Sequence, residues 1–348
     1  MLNKDHRRNE VIDIMKGMCI FFMIYGHLTS ISVLHHNIIY SFHMPLFFFL
    51  GGYLSKNTYR IQDFFKYSIN NFKRLLVPYF ITMLIISLWT WRYEILKLRF
   101  NLNIYPIINM IWGSGDFYNS SYGVLYIGPL WFLFSMFIVR ETFFLIYTFF
   151  NLHIKNNYIF KYTLVSVSLL ISIFSICIYN FIQPIPWNIF PGLAALIFYS
   201  IGWFVKNTNV RWYIKLFVAL SWPFAAYMGG VEMRACFYDW PIINFLGALG
   251  GIVIIYELSS FIYNFTSNNF VLHKIKKILE WSGRSSLAIL CMHSFDIMGG
   301  VSLYVITLLS IVIPCNLSWM VVLLNFLIPI FFTYVIYKIP FLKKIFIK

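Results

Sequence analysis

The sequence predicts an all-α, polytopic membrane protein, and three observations carry that prediction. The first is composition: 60% of the 348 residues are hydrophobic, 11% are charged, and the mean hydropathy is +0.74. A soluble domain has about a quarter of its residues charged, so this chain must turn apolar side chains outward to lipid. The second is run length. Apolar segments last roughly 17–25 residues, enough to cross the hydrocarbon core as helices, whereas barrel strands alternate in runs of about ten. The third is the placement of charge along the chain.

About ten spans follow, at residues 11–32, 40–56, 75–92, 123–149, 160–180, 187–205, 211–229, 242–264, 285–310 and 319–338. The charged opening MLNKDHRRNE has no small-residue cleavage site after the first apolar run, so that run reads as a permanent span. With the N-terminus in the cytosol, the inner segments hold 21 Lys and Arg and the outer segments 4, of 27 in all. That asymmetry is the positive-inside rule, and it places both termini in the cytosol. The net charge of +15 then reports basic cytosolic loops, and no nucleic-acid partner is expected. No linker, composition shift or internal repeat divides the chain, which reads as one domain over residues 1–348. The five cysteines, Cys19, Cys177, Cys236, Cys291 and Cys315, lack metal-ligand or redox spacing. No phosphate-binding loop, metal-ligand cluster or serine-hydrolase elbow is found, so no metal site is expected.

Charged and titratable residues in lipid are costly and face the protein interior. The first span holds Asp13, Lys16 and His27. At 100° per residue, Lys16 and His27 return to within about 20° of each other, and Asp13 lies about 40° away. The three therefore share one helix face, with Lys16 about 16 Å below His27. Asp13 and Lys16 alone also fit an ordinary i,i+3 ion pair at the interface, and His27 alone fits a hydrogen-bonded core histidine. A histidine is equally the side chain best suited to carry a proton near neutral pH.

Other spans add single features. His43, Pro45, Gly51, Gly52 and Tyr53 lie in the second, where the glycines also suit close helix packing. Trp131 and Arg140, with Glu141, lie in the fourth, and Trp131 also fits an interfacial belt. His293 and Asp296 share a face of the ninth, where a mutually satisfied buried pair is one reading. The largest outer loop, about 93–122, carries Gly113, Ser114, Gly115, Asp116, Asn119 and Ser120, a composition that suits either a solvated loop or an acceptor site.

In order along the chain, these features resemble the integral-membrane acyltransferase family. The resemblance rests on Asp13-x-x-Lys16-Gly17, Gly26-His27, Ser41-Phe42-His43-Met44-Pro45 and Gly52-Tyr53-Leu54, with the spacing Lys16-x10-His27. It continues through Lys73-Arg74-Leu-Leu-Val-Pro78-Tyr79, Leu130-Trp131-Phe132-Leu133 and Gly283-Arg-Ser-Ser286-Leu with His293. The chain looks nearest to the fucose 4-O-acetylase and nodulation-factor acetyltransferase branch. It departs in having Lys16 where Arg is common and Gly51 where Ser is usual, and it lacks the soluble esterase-like domain of some relatives. The resemblance implies a multi-pass enzyme of the cell membrane that takes acetyl-CoA from the cytosol and acylates a hydroxyl of a glycan or lipid-linked sugar. It implies His27 as general base or acyl carrier, with Asp13 and Lys16 in its support. It further implies donor contacts from Lys73, Arg74, Tyr79 and Arg140, and an acceptor side shaped by His43, Trp131 and His293. Two other classes compete. A transporter or lipid-linked-sugar flippase would share the span count but predicts repeat symmetry and helices broken at mid-membrane. A non-catalytic scaffold would have no need of Lys16, His27 and His293 in lipid.

Overall fold

The computed structural model describes residues 9–28, 31–98, 102–120, 123–182, 185–265, 270–312 and 318–347. Cys315, the basic residues Lys4, Arg7, Arg8, Arg99 and Lys348, and positions 29 and 30 of the first predicted span lie outside them. The helices run α1 (Glu10–Gly26), α2 (Val33–Tyr40), α3 (His43–Tyr53), α4 (Phe64–Asn71), α5 (Val77–Leu96) and α6 (Tyr105–Trp112). They continue as α7 (Trp131–His153), α8 (Asn157–Tyr179), α9 (Ile189–Lys206), α10 (Trp212–Met228) and α11 (Pro241–Phe265). The last five are α12 (Phe270–Arg284), α13 (Ser286–Gly299), α14 (Val301–Val312), α15 (Ser318–Lys338) and α16 (Pro340–Phe346).

The all-α, multi-pass architecture is as predicted. Among the described residues, six helices are long and apolar enough to cross a membrane, or seven if α13 and α14 form one span bent by 58°. The difference from ten falls on particular segments. Helices α1 and α10 have 17 residues each, the short limit for a span. The predicted span 40–56 is shortened to the 11 residues of α3, because Phe42 leaves the helical region with φ −135°, and the separate 8-residue α2 precedes it. The predicted span 285–310 breaks at Gly300, which takes the left-handed φ of +62° that a side chain would resist. The reading of unbroken helices is corrected there. Two short antiparallel ladders are also added in outer loops: β1 (Tyr118–Ser120) with β2 (Gly123–Leu125), and β3 (Val231–Glu232) with β4 (Phe237–Tyr238).

Lipid supplies no hydrophobic force between helices, so close packing of small residues must hold them together. Two places show this. A Cβ on Gly17 would lie 2.1 Å from the Leu279 carbonyl oxygen, and one on Gly283 only 1.8 Å from that of Asp13, so α1 and α12 touch backbone to backbone. In the same manner Gly52 meets the Tyr199 carbonyl and Gly202 the Phe49 carbonyl, at 1.8 and 2.0 Å from the would-be Cβ, which locks α3 against α9. Helix α9 also packs on α7 and α8 and forms the centre of the bundle, while α15 lies towards its edge. Helix α12 is absent from the sequence reading. Its apolar residues recur at Leu272, Ile275, Ile278 and Leu279 between Lys274, Lys276 and Lys277, an amphipathic stretch too charged to look like a span.

Candidate active site

The site begins with what a helix end leaves unfinished. The last four carbonyls of a helix have no partner within it. His27 caps α1, and its Nδ1 lies 2.7 Å from the carbonyl oxygen of Met23, in the last turn. His43 opens α3 and does the same for α2, with Nδ1 2.8 Å from the Ile39 carbonyl oxygen. A carbonyl only accepts, so in each ring Nδ1 carries the proton. In the neutral ring the basic lone pair is then on Nε2.

Both rings line a cavity of about 270 Å³ together with Trp131. Three predicted residues from three segments thus meet in one place. The remaining polar wall comes from residues that the sequence reading did not select: His36, Tyr40, Tyr126, Glu232 and Arg234. His36 and Tyr40 stack with centroids 3.8 Å apart, and Tyr40 meets the His43 ring edge-on at 4.9 Å. Arg234 bonds Glu232 at 3.1 Å through Nε. Its Nη1 donates to the Gly115 carbonyl at 3.0 Å and approaches the Asp116 carboxylate at 3.4 Å. Asp116 in turn accepts from Tyr179 at 3.0 Å, and the Gly115 amide donates to Asn188 at 3.1 Å. The loop around 113–116 is therefore tied to two residues of the cavity wall, bonded to Arg234 and with Gly115 pressed on Trp131 where a Cβ would not fit. Burial in this wall raises the Glu232 carboxyl above its usual range, with the Arg234 guanidinium opposing the shift. All these loop groups lie at the helix ends opposite the basic loops at residues 155–161 and 206–215.

His293, on α13, stands behind His27. The two rings meet edge to face with centroids 5.5 Å apart. His293 is 1% exposed, and neither ring nitrogen has a hydrogen-bond partner. The mutual pair with Asp296 suggested by the sequence is not formed. Asp296 instead accepts from the Ser302 amide at 2.7 Å and from the Ser302 hydroxyl at 2.7 and 2.6 Å, which caps the start of α14 beyond the break.

The other predicted residues lie towards the opposite end of the helices. The Asp13 carboxylate bonds Arg284 Nε at 3.2 Å, the contact that Gly283 makes possible. Asp13 and Lys16 do not line the cavity, and the rise of α1 sets them about 21 and 16 Å from His27. Lys73 and Arg74 are exposed on a π-helical turn, Phe72–Leu76, within a continuous helix over Ile61–Leu96. Such turns recur at functional positions. Arg140 donates to Asn71 at 3.0 Å, and Asn71 donates to Glu141 at 2.7 Å, beside a second bond from Ser68. Arg140 also lies within electrostatic reach of Arg74 and of the phenols of Tyr59, Tyr67 and Tyr199. Tyr79 is fully buried and donates its hydroxyl to the Met110 carbonyl at 2.9 Å. Among the described residues no three His, Cys, Asp or Glu side chains are placed to hold a metal ion.

A multi-pass helical membrane protein with a histidine-lined cavity at one end and basic residues at the other is a candidate for group transfer. Residues 9–338 match the model of the acyltransferase domain family, so the chain belongs to that family and is a membrane acyltransferase. Neither the curated proteins nor the solved structures give a match to it.

Proposed function

We propose that the protein transfers an acetyl group from cytosolic acetyl-CoA to a hydroxyl of a cell-surface glycan or lipid-linked sugar, with His27 as general base and the cell membrane as its site. The observation that carries this reading is the His27 ring, tied through Nδ1 to Met23 and set in the wall of the outer cavity. That tautomer holds a lone pair on Nε2, which is what a hydroxyl nucleophile needs. In direct transfer, Nε2 takes the hydroxyl proton, the oxygen forms a bond to the thioester carbon, and the carbon–sulfur bond breaks. Trp131 and the His36–Tyr40 stack offer flat apolar faces for a sugar ring, and Glu232 and Arg234 offer an acceptor and a donor for its hydroxyls. Arg74 and Arg140, with Lys73, suit the phosphates of the donor nucleotide as charged forks and a point charge.

The test is transfer of labelled acetyl from acetyl-CoA to glycans by the purified protein. His27→Gln keeps a hydrogen-bonding side chain but cannot take up a proton at neutral pH. It should cost about 10²–10⁴-fold in rate. Retention of more than about a tenth of wild-type turnover, above what loss of a base allows, refutes the assignment. The bent α13–α14 pair also suits a transporter; uptake of an intact sugar with no label transferred would favour that reading.

A further inference from the structure

The transfer leaves a proton to be moved. The acceptor hydroxyl releases it in the outer cavity, while the coenzyme sulfur that must end as a thiol leaves on the cytosolic side. A thiol of this kind is ordinarily protonated at neutral pH, and a thiolate stranded at membrane depth is strongly disfavoured. His27 alone serves only the first end of that path.

His293 has the properties the second end requires. Buried polar atoms are nearly always paired, yet His293 is 1% exposed with both ring nitrogens unpartnered. A neutral imidazole has one N–H to give and one lone pair to receive with, and here neither is committed to the fold. Asp296, the one carboxylate on its own helix, is held by Ser302. The ring instead lies against His27, at 5.5 Å between centroids.

Its depth is also right. Asp13 and Arg284 fix a common level for α1 and the start of α13, being bonded at 3.2 Å. From that level the Cα of His27 is fourteen residues up and that of His293 nine, a backbone offset of about 7.5 Å at 1.5 Å per residue, which the two side chains lean across to bring their ring centroids to 5.5 Å. His293 is thus roughly one helical turn nearer the cytosol than His27, on the donor's side of it rather than the acceptor's.

We propose that His293 is the donor-side proton carrier of the reaction, giving the departing sulfur a proton and receiving in its place the one that His27 has taken from the acceptor hydroxyl. This rests on the acetyl-CoA reading above. The oxygen–hydrogen and carbon–sulfur bonds break, and carbon–oxygen and sulfur–hydrogen bonds form. The electron pair of the carbon–sulfur bond leaves on sulfur, both imidazoles return to neutral, and no proton is gained or lost overall.

The experiment compares two donors in membranes of the producing cells, which contain the native acceptor, after removal of the resident copy and supply of each variant. The donors are acetyl-CoA and its selenoester analogue, whose selenolate leaves without needing a proton. His293→Gln should lower label transfer from acetyl-CoA about 100-fold or more, and the selenoester should restore it to within about tenfold of wild type on that donor, since only general-acid assistance is missing. His27→Gln should not be rescued, because its proton comes from the hydroxyl. Equal losses on both donors overturn the proposal and make His293 a packing residue. So does retention of more than about a tenth of the acetyl-CoA rate. Absence of any wild-type transfer overturns the function reading beneath it, and the proposal with it. His293→Asn, judged by the same ratio of rates, replaces the glutamine variant should that one fail to fold.

Discussion

Gly283→Ala tests the packing on which the site is built. The new Cβ would lie 1.8 Å from the Asp13 carbonyl oxygen, a backbone atom with no side-chain freedom to yield. Helices α1 and α12 must part by about 1.5 Å to restore van der Waals separation. The Arg284–Asp13 bond, now 3.2 Å, then passes out of hydrogen-bonding range. Overpacking costs about 1–3 kcal/mol. A bond to a charged group is worth about 1.5–3 kcal/mol, taken at its low end here because the guanidinium is 43% exposed. Alanine returns about 1 kcal/mol of helix propensity. The net destabilisation is about 1.5–3.5 kcal/mol, the sum of those three contributions. Buried Cys19 and Cys291 provide the assay, because a thiol-reactive fluorophore reaches them only on unfolding. The midpoint should fall by at least about 3 °C, from a shift of about 2–4 °C per kcal/mol in larger domains. Transfer activity should fall with it, since α13 follows α12 directly and sets His293 against His27. An unchanged midpoint would show that the backbone contact between α1 and α12 is not as close as described.

Three further outcomes are expected. Joint replacement of Lys73 and Arg74 by Ala should raise KM for acetyl-CoA more than it lowers kcat, the mark of binding lost equally from ground and transition states; an unchanged KM reduces both residues to topological charges. Glu232→Gln should raise KM for the acceptor and leave that for acetyl-CoA unchanged, and the reverse pattern removes Glu232 from the acceptor side. Cysteines introduced at positions 208 and 275, on a background free of native cysteines, should resist an impermeant reagent in intact cells; labelling of either from outside refutes the cytosolic assignment.

Much of this was legible in the sequence because lipid penalises exceptions. His27, His43 and Trp131 are polar or amphipathic residues inside apolar runs, and the structure gathers all three at one cavity. The residues that were missed sit in loops or in a short broken helix, where polarity is ordinary and carries no signal. His36, Tyr40, Tyr126 and Glu232 belong to this group. Arg234 did leave a trace, being the one basic residue in the outer segment between the predicted spans 211–229 and 242–264. Helix α12 was hidden by its lysines, which lowered its hydropathy below that of a span, although the spacing of Ile275, Ile278 and Leu279 was there to find. The sequence reading put Asp13 and Lys16 on the face of His27, but a shared face is not a shared site when about 21 and 16 Å of helix lie between. The Asp296 partner depended on a left-handed turn at Gly300, and no periodicity reports such a turn.

The dry setting of His293 also bears on what the membrane must keep apart. A catalyst with one substrate in each compartment is at constant risk of becoming an ion leak, since any continuous file of water through it would short-circuit the gradient across the bilayer. Here the ring behind the cavity is His293, whose helix neighbours Leu290, Cys291, Met292 and Phe295 are all buried. Charging that ring without a counter-ion at such depth costs upwards of about 2.5 kcal/mol. On the reading proposed above, the resting protein would thereby insulate, and only a reaction that supplies a proton at one end and an acceptor for it at the other would close the circuit.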